Sequence, residues 1–550
     1  MGLPAIAAAL ILASILWLLE WVRPRLSEPI LVFLLYMVNL TFAKYRFGDW
    51  FESLSLSNRT VLCLVALVLS IPVGIMARSS LSDFRDIIEG AGLRSCGVLT
   101  SPLLVLLLFA LFSAPHSASN SSPERRGAQP SVLLLTIDTM AARNMSVYGY
   151  ERPTTPNLQK FAQDSICFES AHSTSNTTNT SIPAYEGFYY GAREDALTLQ
   201  ALLKNSGYRD TLWVSFHDPK FFGLQEMDQS RIVYSFEVSV IYKLLNKVFE
   251  ERDLTWMSAL LTEEWPYFVA FDPRVGAEYH QYWTREHFSE EKSLRIVLEH
   301  LKASSEPTFV WVHLWQPHYP YLPNPPHLGA FDSDPLVYPP LINSTYRPEA
   351  QEQVDLQQRR YDEYLLDLDS AVGRFLEEMR SEGELDNTVI VIGSDHGESF
   401  EKGWIGHGGP WLDEALIHIP LMIRLPRGPR GVRPVTFASP LDLAPTLLEY
   451  LELEIPAELQ GESLWPYIHD PQARSPVPKL SVSYFGYTQE TGEAAVFSDR
   501  FKLIFAKESP DDIEVYQLDQ DPDERENIVS RFAQQARAVV KSVKVFEKLP

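Results

Sequence analysis

The chain has 550 residues, 45% of them hydrophobic, and a formal net charge of −24. It can bury a large core, and it lacks the basic balance that nucleic acid binding requires. Three cysteines, Cys63, Cys96 and Cys167, exclude a disulfide framework and a CxxC metal motif.

Apolar residues concentrate at the front. Residues 4–22, 60–77 and about 99–114 each approach the roughly 20 residues that cross a bilayer, and 29–43 is a shorter apolar run. The first run has neither a basic leader nor a small-residue cleavage site, so it reads as a retained anchor. The pattern predicts a multi-pass membrane region over residues 1–114, of about four helices, whose partner is the lipid bilayer. An extracytoplasmic soluble part leaves Arg23 and Arg25, then Arg78, Arg85 and Arg94, on the cytoplasmic side, as the positive-inside bias prefers. Residues 115–130, rich in Ser and Pro, read as a linker.

From residue 131 strand and helix patterns alternate. An apolar strand, Ser131–Ile137, ends at Asp138; helical patterns follow at 156–164 and 197–206, with a strand at 210–216. Residues 218–290, rich in aromatics, read as an insertion over one sheet edge. A helix at 290–303, a strand at 308–314 and a Pro-rich loop at 317–348 come next. A long helix over 354–382, apolar at Leu365, Leu368, Val372, Phe375, Leu376 and Met379, leads into a strand at 388–394. A strand at 419–424 and a helix at 441–451 complete the alternation. This predicts an α/β domain over 131–475 with a doubly wound, mostly parallel sheet. Short strands at 480–484, 494–498, 501–505 and 513–517 and a terminal helix predict a small C-terminal α+β subdomain over 476–550.

Asp138 and the adjacent Asp395 and His396 stand at the carboxyl ends of predicted strands, where parallel sheets gather their sites. The plain reading of Asp395 is a turn residue that caps the following segment. The chemical reading is a metal ligand set: one hard oxygen beside one borderline nitrogen suits zinc or manganese better than calcium, which stays the alternative. Between Ser173 and Ser181, seven of nine side chains carry hydroxyls. They either cap the helix expected after them or supply a nucleophile, whose pKa a metal lowers and whose anionic target a helix N-terminus favours.

Several motifs occur in a fixed order: Leu135-Thr-Ile-Asp138-Thr139, Thr154-Thr-Pro-Asn157, His313-Leu-Trp-Gln-Pro-His318, Ser394-Asp395-His396-Gly-Glu398, His407-Gly408, Asp442-Leu-Ala-Pro-Thr446 and Tyr516-Gln-Leu-Asp-Gln-Asp-Pro522. In them the chain resembles the sulfatase branch of the alkaline phosphatase superfamily, from 131 to about 530. The resemblance implies an alkaline phosphatase-like α/β core and a divalent metal ion held by Asp138, Asp395, His396 and Thr178, whose hydroxyl the metal activates. It also implies that His313, His318 and His407 contact the substrate's anionic group, with His318 and His407 as catalysts at the leaving oxygen. Sulfatases proper carry a Cys/Ser-x-Pro-x-Arg motif, whereas Ser181-Ile-Pro183-Ala-Tyr185 lacks the Arg. Thr139 replaces the second Asp of that family's Asp-Asp pair, and Asp395-His396 replaces Asp-Asn. The Asp-His pair and Thr178-Asn-Thr-Ser181-Ile-Pro183 are similar to phosphoethanolamine transferases, lipoteichoic acid synthases and phosphonate ester hydrolases of the same superfamily. The two registers nominate different nucleophiles, Thr178, preferred here, and Ser181. The expectation is a membrane-anchored, metal-dependent hydrolase of sulfate or phosphate esters, acting on an anionic ester that is lipid-linked or carried by a glycan. The alternatives are a phosphoethanolamine or glycerophosphate transferase modifying lipid-linked glycans, and a catalytically silent membrane binding protein.

Overall fold

Strand β1, Ser131–Ile137, is buried at every position, and its alternating side chains feed two cores. Leu133, Leu135 and Ile137 enter one apolar cluster, while Val132 and Leu134 enter another. That division follows from the two-residue period of a strand, and it means the sheet is covered on both faces. The remaining strands of this sheet are β2 (Ile166–Cys167), β3 (Asp210–Ser215), β4 (Gln229–Ile232), β5 (Thr308–Leu314), β6 (Thr388–Ser394) and β7 (Leu421–Arg424). The computed structural model describes residues 129–543 apart from 190–196, 217–218, 220–223, 225–226, 233–289, 320, 322, 334–340, 342, 484–491 and 507–508. The expected membrane region, nearly all of the linker and most of the 218–290 insertion therefore lie outside the described residues. Among the described residues no helix is long and apolar enough to cross a membrane.

The strand order is β2-β7-β6-β1-β5-β3-β4. The run from β6 to β4 is parallel; β7 runs antiparallel to β6, and β2 antiparallel to β7. One face is covered by the helices Pro156–Gln163, Glu290–Ala303 and Gln351–Ser381, and the other by Leu199–Asn205, Leu443–Tyr450 and Trp465–His469. The fold is thus a mixed α/β sheet dominated by parallel pairing, as the alternation of patterns predicts. Register then sets the site: Ile137 pairs with Ser394, and Thr136 with His313. Asp138, Asp395 and His313 are thereby brought to the same sheet edge.

A four-stranded antiparallel sheet follows, from Lys479–Val482, Glu493–Ser498, Phe501–Ala506 and Ser509–Gln517, with the helix Val529–Val543 packed on it. The strands of two and three residues elsewhere, such as Ser170–His172 paired with His418–Ile419, are too short for a hydrophobic period and carry no sequence signal.

Candidate active site

β1 ends at Asp138, and the next residue, Thr139, takes a left-handed backbone with φ 55°. A β-branched residue in that region is strained and persists only where its surroundings fix it. Here the Thr139 N–H donates to Asp395 Oδ1 at 3.1 Å, and the Tyr361 hydroxyl donates to the Thr139 carbonyl at 2.7 Å. Asp395 Oδ1 also accepts the His396 N–H at 2.8 Å. Behind β6, the Tyr185 hydroxyl donates to the Ser394 carbonyl at 2.8 Å. A Cβ at Gly393 would meet that hydroxyl at 2.4 Å, so only glycine admits this buttress.

Asp138, Asp395 and His396 are all buried. Asp138 Oδ1 and Asp395 Oδ2 have no hydrogen-bond partner among the described residues. Ligand atoms of Asp138, His313 and Asp395 all lie within 4.8 Å of one another. His396 Nε2 stands 3.5 Å from Asp395 Oδ2 and 3.9 Å from Asp138 Oδ1. Burial, reinforced by the neighbouring Asp395, Glu398 and Glu290 carboxylates, pushes the Asp138 carboxyl well above the usual range. Buried carboxylate oxygens lacking donors, faced by imidazole nitrogens, are the donor set a divalent cation requires. The residues present therefore fit a divalent metal ion.

Three histidines are tethered through Nδ1 and so turn Nε2 elsewhere. His396 Nδ1 donates to the Gly397 carbonyl at 3.0 Å, His318 Nδ1 to the Tyr319 carbonyl at 2.6 Å, and His407 Nδ1 to Glu398 Oε1 at 3.0 Å. A carbonyl only accepts, so in neutral His396 and His318 the lone pair sits on Nε2. Their rings form a file, with His407 4.7 Å from His396 and 4.9 Å from His318. Burial lowers the pKa of His396 against the pull of Asp395, and it lowers His318 strongly, with His407 adding to the effect. Burial also opposes charge on His407, but the Glu398 carboxylate outweighs it and the His407 pKa is raised. The file thus holds two histidines disposed to accept and one disposed to donate.

Thr178 opens the short helix Thr178–Ser181. Its half-buried hydroxyl lies 3.1 Å from His396 Nε2. Ser181 does not join this group: its buried hydroxyl donates to the Ser175 carbonyl at 3.1 Å and lies 3.0 Å from the hydroxyl of Ser173, which donates to the Asp395 carbonyl. The Ser181 hydroxyl is thus committed to holding up the backbone beneath Asp395. His313, expected at the substrate, lies beside the carboxylates, its Nε2 3.9 Å from Asp138 Oδ2 and its Nδ1 2.9 Å from Thr136 Oγ1. Sequence reasoning missed a role for Glu398, although it ends the Asp-His-Gly-Glu run, and missed Tyr185 and Tyr361, which no local pattern distinguishes from core tyrosines.

Parallel strand ends that gather carboxylates, histidines and one accessible hydroxyl define a hydrolytic α/β enzyme. The sulfatase family model matches residues 130–453, and the chain belongs to the sulfatase family, as an ester hydrolase. A model for the C-terminal region of N-sulphoglucosamine sulphohydrolase matches residues 401–548. Among relatives, an N-acetylglucosamine-6-O-sulfatase of Bacteroides thetaiotaomicron is 24% identical over 78% of this chain and 88% of its own. The human N-sulphoglucosamine sulphohydrolase is 24% identical over 62% of this chain and 66% of its own. Among solved structures, a phosphonate monoester hydrolase of Agrobacterium radiobacter shares the fold with a TM-score of 0.58 at 18% identity, over 76% of this chain and 96% of its own.

Proposed function

We propose that the protein hydrolyses sulfate esters carried by a glycan, using Thr178 as nucleophile and a divalent cation, zinc or manganese in preference to calcium, held by Asp138, Asp395 and His396 with His313 beside them. The observation that carries this reading is the Thr178 hydroxyl 3.1 Å from His396 Nε2, next to buried carboxylate oxygens with no partner among the described residues. Two relatives named for sulfated glucosamine derivatives, the N-acetylglucosamine-6-O-sulfatase and the N-sulphoglucosamine sulphohydrolase, support the substrate class. A bound cation supplies positive charge that lowers the hydroxyl's pKa and offsets the charge of the anionic ester. The Thr178 proton passes to solvent as the hydroxyl's pKa falls; Thr178 Oγ then forms the bond to sulfur as the bond to the sugar oxygen breaks, and the departing oxygen takes a proton from His407 Nε2. Neutral His407 then accepts one proton of a water that attacks sulfur as the bond from sulfur to Thr178 Oγ breaks; the other proton, carried on the departing hydrogen sulfate, passes to Thr178 Oγ, which releases sulfate and restores the hydroxyl. His318 accepts a hydrogen bond in the same file and orients the group that leaves.

The apolar runs within residues 1–114 support attachment to the lipid bilayer by several spans, with the catalytic domain extracytoplasmic. The test of the nucleophile is mass spectrometry of protein quenched during turnover. A sulfo group on Thr178 is expected. Formylglycine at Ser181, or full turnover by Thr178→Ala, overturns the assignment, and a phosphoethanolamine adduct on Thr178 replaces hydrolysis with transfer.

A further inference from the structure

The loop that carries His407 also carries two tryptophans. Trp404 lies three residues before it and Trp411 four after. Their rings stand 4.9 Å apart at 49°, and both side chains are half-buried. Between them Gly409 has φ 76°, and a Cβ there would come within 3.2 Å of the Trp411 ring and 3.3 Å of Trp404. Glycine is what lets the two indoles close over the backbone. The loop is locked to the nucleophile: Asn176, two residues before Thr178, donates through Nδ2 to the carbonyls of Gly408, Gly409 and Trp411 at 3.1, 3.0 and 2.7 Å. The Gly408 N–H returns a bond to the Asn176 carbonyl at 2.9 Å. One asparagine thus fixes both the reacting hydroxyl and the indole pair.

The chemistry of the pair selects its occupant. Trp404 Nε1 is buried and has no hydrogen-bond partner among the described residues, and a buried donor left unpaired is destabilising. A hydrocarbon tail or a plain aryl ring would cover the indole faces but offer that N–H no acceptor. A pyranose has an apolar C–H face edged by hydroxyls, which matches an apolar ring body with one donor.

We propose that Trp404 and Trp411 form a subsite for the sugar ring next to the reacting ester, so that the leaving oxygen beside His407 belongs to a glycosyl unit stacked on the indoles. The inference rests on the ester hydrolase reading but is separable from it. The test compares the full-length wild type with Trp404→Ala and Trp404→Phe, on glucosamine 6-sulfate and on p-nitrophenyl sulfate, with melting temperatures as the check on folding. Trp404→Ala is expected to raise KM for the sugar ester about tenfold with kcat within twofold. Trp404→Phe, which keeps a ring and loses the N–H, is expected to raise it about threefold, and neither changes the p-nitrophenyl ester by more than twofold. Equal effects on both esters, or on neither, overturn the subsite, as does a wild type that cleaves only the aryl ester. Saturation-transfer NMR with glucosamine 6-sulfate reads the contact without turnover. Transfer from indole protons in wild type that is lost in Trp404→Ala supports the subsite even if no ester is cleaved, which would overturn only the hydrolase reading. Absence of transfer in wild type overturns the subsite.

Discussion

Two clusters of buried carboxylates with histidine neighbours differ in how their oxygens are partnered. In the first, Lys502 Nζ, fully buried, bridges Glu414 Oε1 at 2.9 Å and Glu524 Oε1 at 2.5 Å. Glu414 Oε2 accepts from His172 Nε2 at 3.0 Å, and Glu524 Oε2 accepts from Lys402 at 2.9 Å. Each carboxylate oxygen there has a cationic or imidazole partner. In the second, Asp138 Oδ1 and Asp395 Oδ2 have only the His396 imidazole at 3.9 and 3.5 Å and no hydrogen bond among the described residues. The carboxyl pKa values diverge accordingly. Burial alone would raise Glu414, but Lys502 and His172 hold it well below the usual range, whereas at Asp138 burial and the neighbouring carboxylates act together and raise it. A buried charge whose partners are all protein groups joins elements together; here the C-terminal sheet is joined to the strand that leads into the nucleophile loop. A buried charge with lone pairs left over is built for something that arrives from outside.

Four experiments break or sharpen that contrast. The largest effect is expected from Asp395→Ala, which should cut turnover by about three orders of magnitude or more and abolish stoichiometric metal in the purified protein, while the melting temperature of the metal-free protein stays level or rises because like charges are relieved. Lys502→Met should do the reverse. It strands two buried carboxylates and is expected to cost about 3–5 kcal/mol in urea unfolding, with metal stoichiometry retained in whatever folds. If the two variants behaved alike, the contrast between the clusters would be wrong.

Next comes pH. The raised Asp138 pKa contributes stability to the metal-free protein that is full below its unfolded value near ~3.9 and lost as pH rises through the folded value. The lowered Glu414 pKa contributes stability that is present above the unfolded value near ~4.3 and lost as pH falls through the folded one. Metal-free wild type should therefore weaken as pH rises from the ordinary carboxylate range through the raised Asp138 value in a way that Asp138→Asn removes and added metal reverses. The smallest expected effect is from Glu398→Gln. It weakens the pull that raises the His407 pKa, so the alkaline limit of activity should move to lower pH, with roughly a tenfold loss in kcat at the wild-type optimum. An unshifted limit would remove His407 as the proton donor.

The parallel sheet and its strand ends were legible because β1, β5 and β6 are largely apolar runs that stop at Asp138, just past His313, and at Asp395. Those stops are local facts of the chain, and register then makes them neighbours. The choice between Thr178 and Ser181 was legible only as a preference for Thr178, since both are hydroxyls in one run; the bond from the Ser181 hydroxyl to the Ser175 carbonyl, which ties Ser181 to the backbone, has no counterpart in the local pattern. His313 was read with His318 as a substrate contact because the two share a motif. Its place in strand β5, one residue before the end, puts it beside Asp138, a consequence of strand parity that a motif does not encode. The Lys502 cluster joins residues more than three hundred positions apart, from His172 to Glu524, and no spacing rule reaches that far.

The central claim is that the carboxylate oxygens at Asp138 and Asp395 await a cation. It is tested most directly by isothermal titration of chelator-treated protein with zinc and manganese, wild type against Asp395→Ala. One site per chain in wild type, absent in Asp395→Ala, is the result predicted. Equal binding by both proteins, or none by wild type, would contradict it.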